Sequence, residues 1–325
     1  MVDKLTREKV ESLLLLEDNE FNIEAFRRKH EIDPESSVLH TTFSRLVDEK
    51  KLKRIGRGLY RKLKQVKPIR SLKASEAKLF DLTFPYGYED ASSFGFEEIL
   101  EIDEGNCIVV AGVSNSAKTA WVINMLALNM NKHPCILMGN EYARVDTQLS
   151  PAFVRRLRRM EWAQWEDGNG QLKFTILPVK EDYEDWVEPG KINFIDWINL
   201  SDNFYQIGKI IEDCKTAVGN GILVIVLQKA EDNLLARGGG FSRDLADFYI
   251  SIDPLGNRQR RLTVVKAKAT KQFMDGRMWG FEIVNGGTQF HNIREIKKCK
   301  KCYGKGHYSA GGECQECLGL GYVDK

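Results

Sequence analysis

The stretch Val110-Ala-Gly-Val-Ser-Asn-Ser-Ala-Lys-Thr-Ala-Trp121, VAGVSNSAKTAW, decides the fold. It nearly fits the pattern G-x-x-x-x-G-K-[ST], in which backbone N–H groups wrap phosphates, the Lys reaches the terminal ones and the Ser/Thr hydroxyl holds Mg²⁺. Gly112, Lys118 and Thr119 satisfy the pattern, but Ala117 stands where its second glycine belongs. The apolar run Cys107–Ala111 ahead of the loop predicts a buried parallel strand, and Thr119–Asn131 has helical periodicity that stops at His133-Pro134. Strand, loop and helix therefore come in the order the motif requires, and a helix start favours an anion because its first N–H groups are unpaired. Gly112, Val113, Ser114, Asn115, Ser116, Ala117, Lys118 and Thr119 form the candidate ATP-binding set. The cost of Ala117 depends on its backbone: a left-handed conformation costs about 1–2 kcal/mol, a helical one nothing.

Three further apolar runs deliver polar groups at their carboxyl ends, the edge where open α/β sheets bind ligands. Pro134–Met138 leads into Gly139-Asn140-Glu141, Lys191–Ile195 into Asp196, and Gly221–Leu227 into Gln228. One such strand end is more often an ordinary turn residue; a series in this order after a phosphate loop points to one site. Asp196 is placed to hold the Mg²⁺ water shell and Gln228 to sense a terminal phosphate.

With VVAGVSNSAKTA, ILMGNEY, INFIDWINL, ILVIVLQKA, ARGGGFSRDLADFYISI and LTVVKAKA in this order, the chain resembles the RecA-like ATPases of the DnaB helicase and RadA branch, over roughly Phe84 to Phe290. The resemblance implies that Glu141 polarises the attacking water, that Asp196 fills the Walker B role, and that Gln228 couples nucleotide state to the loop after it. It also implies that Lys266 and Lys268, alternating on one strand face opposite Ala267, reach the ATP of a neighbouring subunit. Such sharing implies a homo-oligomer, a hexameric ring or a filament. Ala117 departs from the family pattern, and the helicases' usual N-terminal helical domain has no counterpart.

Residues 1–65 instead read as helices over Thr6–Glu17, Asn22–His30 and Pro34–Lys50, then a short hairpin with Gly56 and Gly58 at its turn. That is the plan of a winged helix. The third helix is expected to start at Pro34 and to turn Val38, Phe43, Leu46 and Val47 inward. Ser37, His40, Thr41, Ser44 and Arg45 then face outward as candidates for a duplex DNA groove, with hairpin cations Arg54, Arg57 and Arg61 on phosphates. Lys50 to Lys73 contains no Asp or Glu, although the formal net charge of the chain is only +2. Attraction to nucleic acid must come from such patches. Single-stranded DNA is assigned to Lys229–Arg243, where Arg237, Gly238, Gly239 and Gly240 allow close backbone approach. Arg155, Arg156, Arg158 and Arg159 fit a solvated or subunit-facing helix better than a DNA contact.

The C-terminus reads CKKCYGKGHYSAGGECQECLGLGY, with Cys299-x-x-Cys302 and Cys314-x-x-Cys317 each followed by x-Gly-x-Gly. Four thiolates at this spacing suit one tetrahedral Zn²⁺, and the repeat resembles half of the zinc region of DnaJ-type chaperones. His307 is not required. A redox pair is the competing reading, without a thioredoxin-like context to support it. Cys107, Cys135 and Cys214 read as buried free thiols, consistent with a reducing compartment. The run Leu13–Leu16 is too short for a signal peptide and no apolar run approaches the ~20 residues of a membrane span, so the expected location is cytoplasmic.

The expected fold class is α/β: a RecA-like P-loop core with a mostly parallel central sheet, an N-terminal winged helix and a small C-terminal zinc module. The expected division of the 325 residues is 1–65, a linker at 66–83 (basic over Gln65–Ser75), the core at 84–292 and the zinc tail at 293–325. ATP, Mg²⁺ and Zn²⁺ are the expected cofactors, and DNA with further copies of the chain the expected partners. The expected function is a DNA helicase or remodelling ATPase in replication or recombination, with a mobile element suggested by the domain combination. A non-motor regulator or loader that uses ATP as a switch is the alternative.

Overall fold

The computed structural model describes residues 5–64, 79–143, 148–198, 203–256, 258–308 and 311–325. The basic linker expected over Gln65–Ser75 lies outside the described residues. By its contacts the chain divides into two units, Met1–Glu76 and Ala77–Lys325.

The first unit contains α1 (Arg7–Leu15), β1 (Glu20–Asn22), α2 (Ile23–Lys29), α3 (Ser37–Asp48), β2 (Leu52–Gly56) and β3 (Leu59–Lys62). Thr6 caps α1 by accepting from the Lys9 N–H at 3.3 Å, and Asn22 caps α2 by accepting from Glu24 at 2.8 Å. Pro34 does not start α3. Asp33 Oδ1 accepts from the Glu35 N–H at 2.9 Å, which makes Asp33-Pro34 a turn and delays the helix to Ser37. The inward face of α3 is Leu39, Thr42, Phe43 and Leu46, whereas Val38 and Val47 are only half-buried. Ser37, His40, Thr41, Ser44 and Arg45 are exposed, as expected. β1 joins the hairpin in the order β1-β3-β2; three residues are too few to announce a strand by alternation. Phe43 fills the centre, with its ring centroid 5.8 Å from Phe21, 5.6 Å from Phe26 and 5.0 Å from Tyr60. Arg54 and Arg57 are exposed, while Arg61 is half-buried and lies 3.8 Å from Glu20.

The second unit begins with α4 (Phe96–Ile99), β4 (Cys107–Gly112), α5 (Lys118–Asn129), β5 (Cys135–Met138), α6 (Pro151–Arg159), β6 (Thr175–Leu177) and β7 (Ile192–Ile195). It continues with α7 (Gln206–Ala217), β8 (Ile222–Gln228), α8 (Gly240–Asp244), β9 (Phe248–Leu255), β10 (Gln259–Ala267), β11 (Met278–Val284), β12 (Gln289–Lys298) and β13 (Tyr322–Asp324). The strands form one ten-stranded sheet, β13-β12-β11-β10-β9-β4-β8-β7-β5-β6. From β9 to β6 all neighbours are parallel; from β9 to β13 all are antiparallel. This is the α/β class with a mostly parallel central sheet that the apolar runs predict. The antiparallel extension goes beyond that reading, and β12 runs through the boundary expected at 292, so the cysteine segment grows out of the main sheet.

β4 is buried on both faces, as an all-apolar parallel strand must be. Ile108 and Val110 enter the core beneath α5, and Cys107, Val109 and Ala111 enter the core beneath α7. Burial pushes the Cys107, Cys135 and Cys214 thiols up to about 12, which leaves them protonated and inert. On the α5 side an aromatic cluster, including Phe94, Phe96, Trp121, Phe281 and Phe290, joins the antiparallel strands to the parallel ones.

Phe43→Ala should destabilise the first unit by about 3–5 kcal/mol, because the cavity opens where three rings meet. Denaturant unfolding followed by circular dichroism should show an early transition that the native chain lacks; unchanged unfolding would contradict the packing described.

Candidate nucleotide site and cysteine centre

The site starts from a glycine. A Cβ on Gly112 would lie 2.2 Å from Ser116 Oγ and 2.8 Å from the Ile252 carbonyl, so no other residue fits this end of β4. The chain then curls back on itself, and Ala117 adopts φ 83°, ψ 16° immediately before α5. Of the two backbones open to Ala117, it takes the left-handed one, at a cost of about 1–2 kcal/mol for its methyl group. No side chain caps α5, so its first N–H groups face the loop. Lys118 Nζ donates to the Val113 carbonyl at 2.6 Å. Ser116 Oγ is buried and has no hydrogen-bond partner.

Parallel register brings the acids and amides to this loop. Gly112 is level with Gln228 across β4 and β8, and Met138 is level with Ile195 across β5 and β7. Glu141 and Asp196 therefore leave neighbouring strand ends on the same edge. Together with Ser114–Ala120 and Gln228 they line an open cleft of about 440 Å³. Asp196 is buried; the Tyr142 hydroxyl donates to its Oδ2, while Oδ1 has no hydrogen-bond partner. Burial raises the Asp196 carboxyl, opposed by hydrogen bonding from the Tyr142 and Thr119 side chains. Burial lowers Lys118, opposed by Asp196 and Glu141. Both shifts express a shortage of compensating charge, which a divalent cation beside Asp196 and a polyphosphate beside Lys118 would supply. The two orphaned oxygens and the donor types Thr119 and Asp196 fit Mg²⁺ with nucleotide.

Trp197 Nε1 donates to Glu141 Oε1 at 3.2 Å and so aims an otherwise exposed carboxylate. Trp197, Tyr142, Arg156 and Arg260 were not among the residues expected at this site. Arg156 lines the cleft from α6, whose Phe153 and Leu157 are buried, while Arg155, Arg158 and Arg159 are exposed as expected for a solvated helix face. Arg260 Nη2 reaches the Asn115 carbonyl at 3.4 Å from β10. The i, i+3 spacing of Phe153 and Arg156 was the one available signal for the first of these, and Arg260 offered none.

Other expected residues lie elsewhere. Lys266 Nζ donates to the Arg243 and Asp244 carbonyls at 2.9 and 2.7 Å, and Lys268 pairs with Asp247 at 2.8 Å. Neither lines the cleft of its own chain. Lys229 is 3% exposed and paired with Asp253, so the segment assigned to single-stranded DNA loses its first cation. Arg237 is exposed, with its guanidinium 5.5 Å from the Phe204 ring. A Cβ on Gly238 would meet Ile207 Cγ2 at 2.5 Å, so that glycine serves packing within the chain, whereas Gly239 has open space beside it. Gly240 begins α8.

The four C-terminal cysteines converge, their sulfurs all within 4.8 Å of one another. Cys299 and Cys314 Sγ are 3.8 Å apart, and Cys302 and Cys317 are 3.6 Å apart. A tetrahedral centre with Zn–S bonds of ~2.3 Å places its sulfurs roughly 3.8 Å apart, so the cluster fits Zn²⁺. The glycine repeat has a defined use: the Gly306 and Gly321 N–H groups donate to Cys302 and Cys317 Sγ at 3.3 and 3.1 Å. A Cβ on Gly306 would meet the Gly319 carbonyl at 2.1 Å, so the two knuckles pack backbone to backbone. His307 is exposed and outside the cluster.

Neither a protein-family model nor a curated protein matches the chain. Among solved structures it is similar to a KaiC-like protein from the hyperthermophilic archaeon Pyrococcus horikoshii, at 14% identity and TM-score 0.48, covering 67% of this chain and 99% of that one. It is also similar to the RadB recombinase, at 14% identity and TM-score 0.42, covering 59% of this chain and 92% of that one. Among the described residues no helix is long and apolar enough to cross a membrane.

Ala117→Gly should stabilise the chain by about 1 kcal/mol, since glycine occupies this conformation without the methyl penalty. Calorimetry should show a higher Tm; a lower one would mean that the alanine is not strained. Metal analysis of protein purified without chelator should find one zinc per chain, and none would overturn the assignment of the cysteine cluster.

Proposed function

We propose that the chain is an ATP-hydrolysing enzyme of the RecA/DnaB type that acts on DNA, as a helicase or remodelling motor in replication or recombination. The supporting observation is the convergence, at one sheet edge, of Gly112, Lys118, Thr119, Glu141, Asp196 and Gln228 around a cleft holding two orphaned buried oxygens. Backbone N–H groups of the loop and Lys118 bind the phosphates, with Arg156 as a further cation. Thr119 and Asp196 would hold Mg²⁺, which would neutralise phosphate charge. Glu141, aimed by Trp197, orients and polarises the attacking water. Gln228 passes the state of the site to the segment that follows it.

DNA is assigned to two surfaces. The winged-helix reading of the first unit gives duplex contact through Thr41, Ser44, Arg45, Arg54, Arg57 and Arg61. Single-strand contact falls to residues 230–243, where Phe241 is 52% exposed beside Arg237 and the glycines. A hexameric ring or filament would present Lys266 and Lys268 to a neighbour's ATP, which requires Lys266 to leave the two carbonyls it holds in the single chain. A mobile element remains the setting that this domain combination suits. The left-handed Ala117 favours a second reading, a DNA-bound nucleotide switch that hydrolyses slowly.

Lys118→Ala should abolish ATP binding, while Glu141→Gln should keep binding and lose about 10²–10⁴ in hydrolysis. Equal hydrolysis by native chain and Glu141→Gln would remove Glu141 from its role. DNA-stimulated hydrolysis with strand displacement supports the motor; nucleotide-dependent DNA binding with neither supports the switch.

A further inference from the structure

A chain of polar contacts runs from the cysteine centre to the phosphate loop. At the metal end, Gly321 donates its N–H to Cys317 Sγ at 3.1 Å and its carbonyl accepts from the Cys299 N–H at 2.9 Å. Gly321 is therefore held through both its N–H and its carbonyl by two cysteines of the cluster, and Tyr322 follows it directly. Its hydroxyl meets Arg261 Nη1, and the Arg261 guanidinium lies 4.9 Å from its ring. Arg261 Nη2 pairs with Asp253 Oδ2 at 3.0 Å, and Asp253 Oδ1 pairs with Lys229. Lys229 follows Gln228 directly, and its own N–H donates to the Gly112 carbonyl at 3.2 Å. The path thus ends on the glycine that opens the phosphate loop and on the residue after the strand-end amide.

We propose that Tyr322 and Arg261 are positioning residues of the nucleotide site, through which the four-cysteine centre holds Gly112 and Gln228 in place. This rests on the nucleotide-binding reading above and replaces the view of the zinc segment as a separable tail. The physical ground is the burial of Lys229 and Asp253. A buried ion pair tolerates little displacement, because moving one partner leaves the other charge uncompensated in a low-dielectric interior. Asp253 is shared between Lys229 and Arg261, so the position of Arg261 bears on both. Without metal, Gly321 loses its fixed sulfur acceptor, Tyr322 loses its anchor, and the constraint on Lys229 at Gly112 relaxes. The linkage runs both ways: zinc that favours the nucleotide-binding arrangement must itself be held more tightly when nucleotide is bound.

The test measures the equilibrium zinc affinity of the full chain by competition with a chromogenic chelator, with and without Mg²⁺ and a non-hydrolysable ATP analogue, in native protein and in Tyr322→Phe. This substitution removes one hydroxyl and keeps the ring over Arg261. Nucleotide should tighten zinc binding by the native chain about fivefold or more, and the gain should shrink or vanish in Tyr322→Phe that still carries its zinc and binds nucleotide. A second measurement does not depend on the variant: zinc-stripped native chain should bind a fluorescent ATP analogue more weakly by a comparable factor. Zinc affinity indifferent to bound nucleotide, or full nucleotide affinity without zinc, would overturn the relay and leave the nucleotide site standing. Failure of the zinc-loaded native chain to bind nucleotide at all would instead defeat the functional reading, and the relay with it.

Discussion

The structure depends on one matter of register. β4 lies between β8 and β9 with Gly112 level with Gln228 on one side and Ile252 on the other. That places a residue without a side chain where β4 and β8 end beside the continuing β9, and it lets the loop turn back over its own strand. A shift by one residue would reverse every side chain of β4 between the two cores. It would also put Ala111 or Val113, each with a Cβ, where only glycine fits. Phosphate loop, acids and amide share an edge because the parallel ladder forces them to.

The second consequence is electrostatic. Bringing Lys118 and Asp196 to one cleft buries charge that the protein alone leaves partly uncompensated. Burial works against the charged forms of both Lys118 and Asp196, and ligand binding would reverse that tendency. The left-handed Ala117 adds backbone cost at the same place. Such concentrations of strain and unmet polarity are tolerated where the rest of the fold over-determines the geometry. Here the aromatic core under α5 and the fully buried β4 do so.

Much of this was legible in the sequence, for identifiable reasons. The parallel strands of the core are uninterrupted apolar runs, so their ends, and the polar residues carried there, could be read directly. The cysteine spacing likewise specified its own cluster. What escaped depends on contacts distant in the chain. Arg260 touches Asn115 only because β10 folds beside β9, and Lys229 is withdrawn from the surface by Asp253 and Arg261. Lys268 finds Asp247 across adjacent strands, a pairing invisible in a run of alternating lysines. The conformation of Ala117 was undecidable from a motif that admits both alternatives, and the delay of α3 past Pro34 turned on a single Asp33 hydrogen bond.

On the proposed function, the orphaned oxygens of the cleft, Ser116 Oγ and Asp196 Oδ1, face a metal–nucleotide complex. Electron paramagnetic resonance of Mn²⁺, titrated into zinc-loaded chain with a non-hydrolysable ATP analogue, tests it most directly. One Mn²⁺ should be immobilised per chain only when nucleotide is present, with a marked loss of Mn²⁺ affinity in Asp196→Asn. Mn²⁺ that stays free in the presence of bound nucleotide, or binds Asp196→Asn equally well, would contradict it.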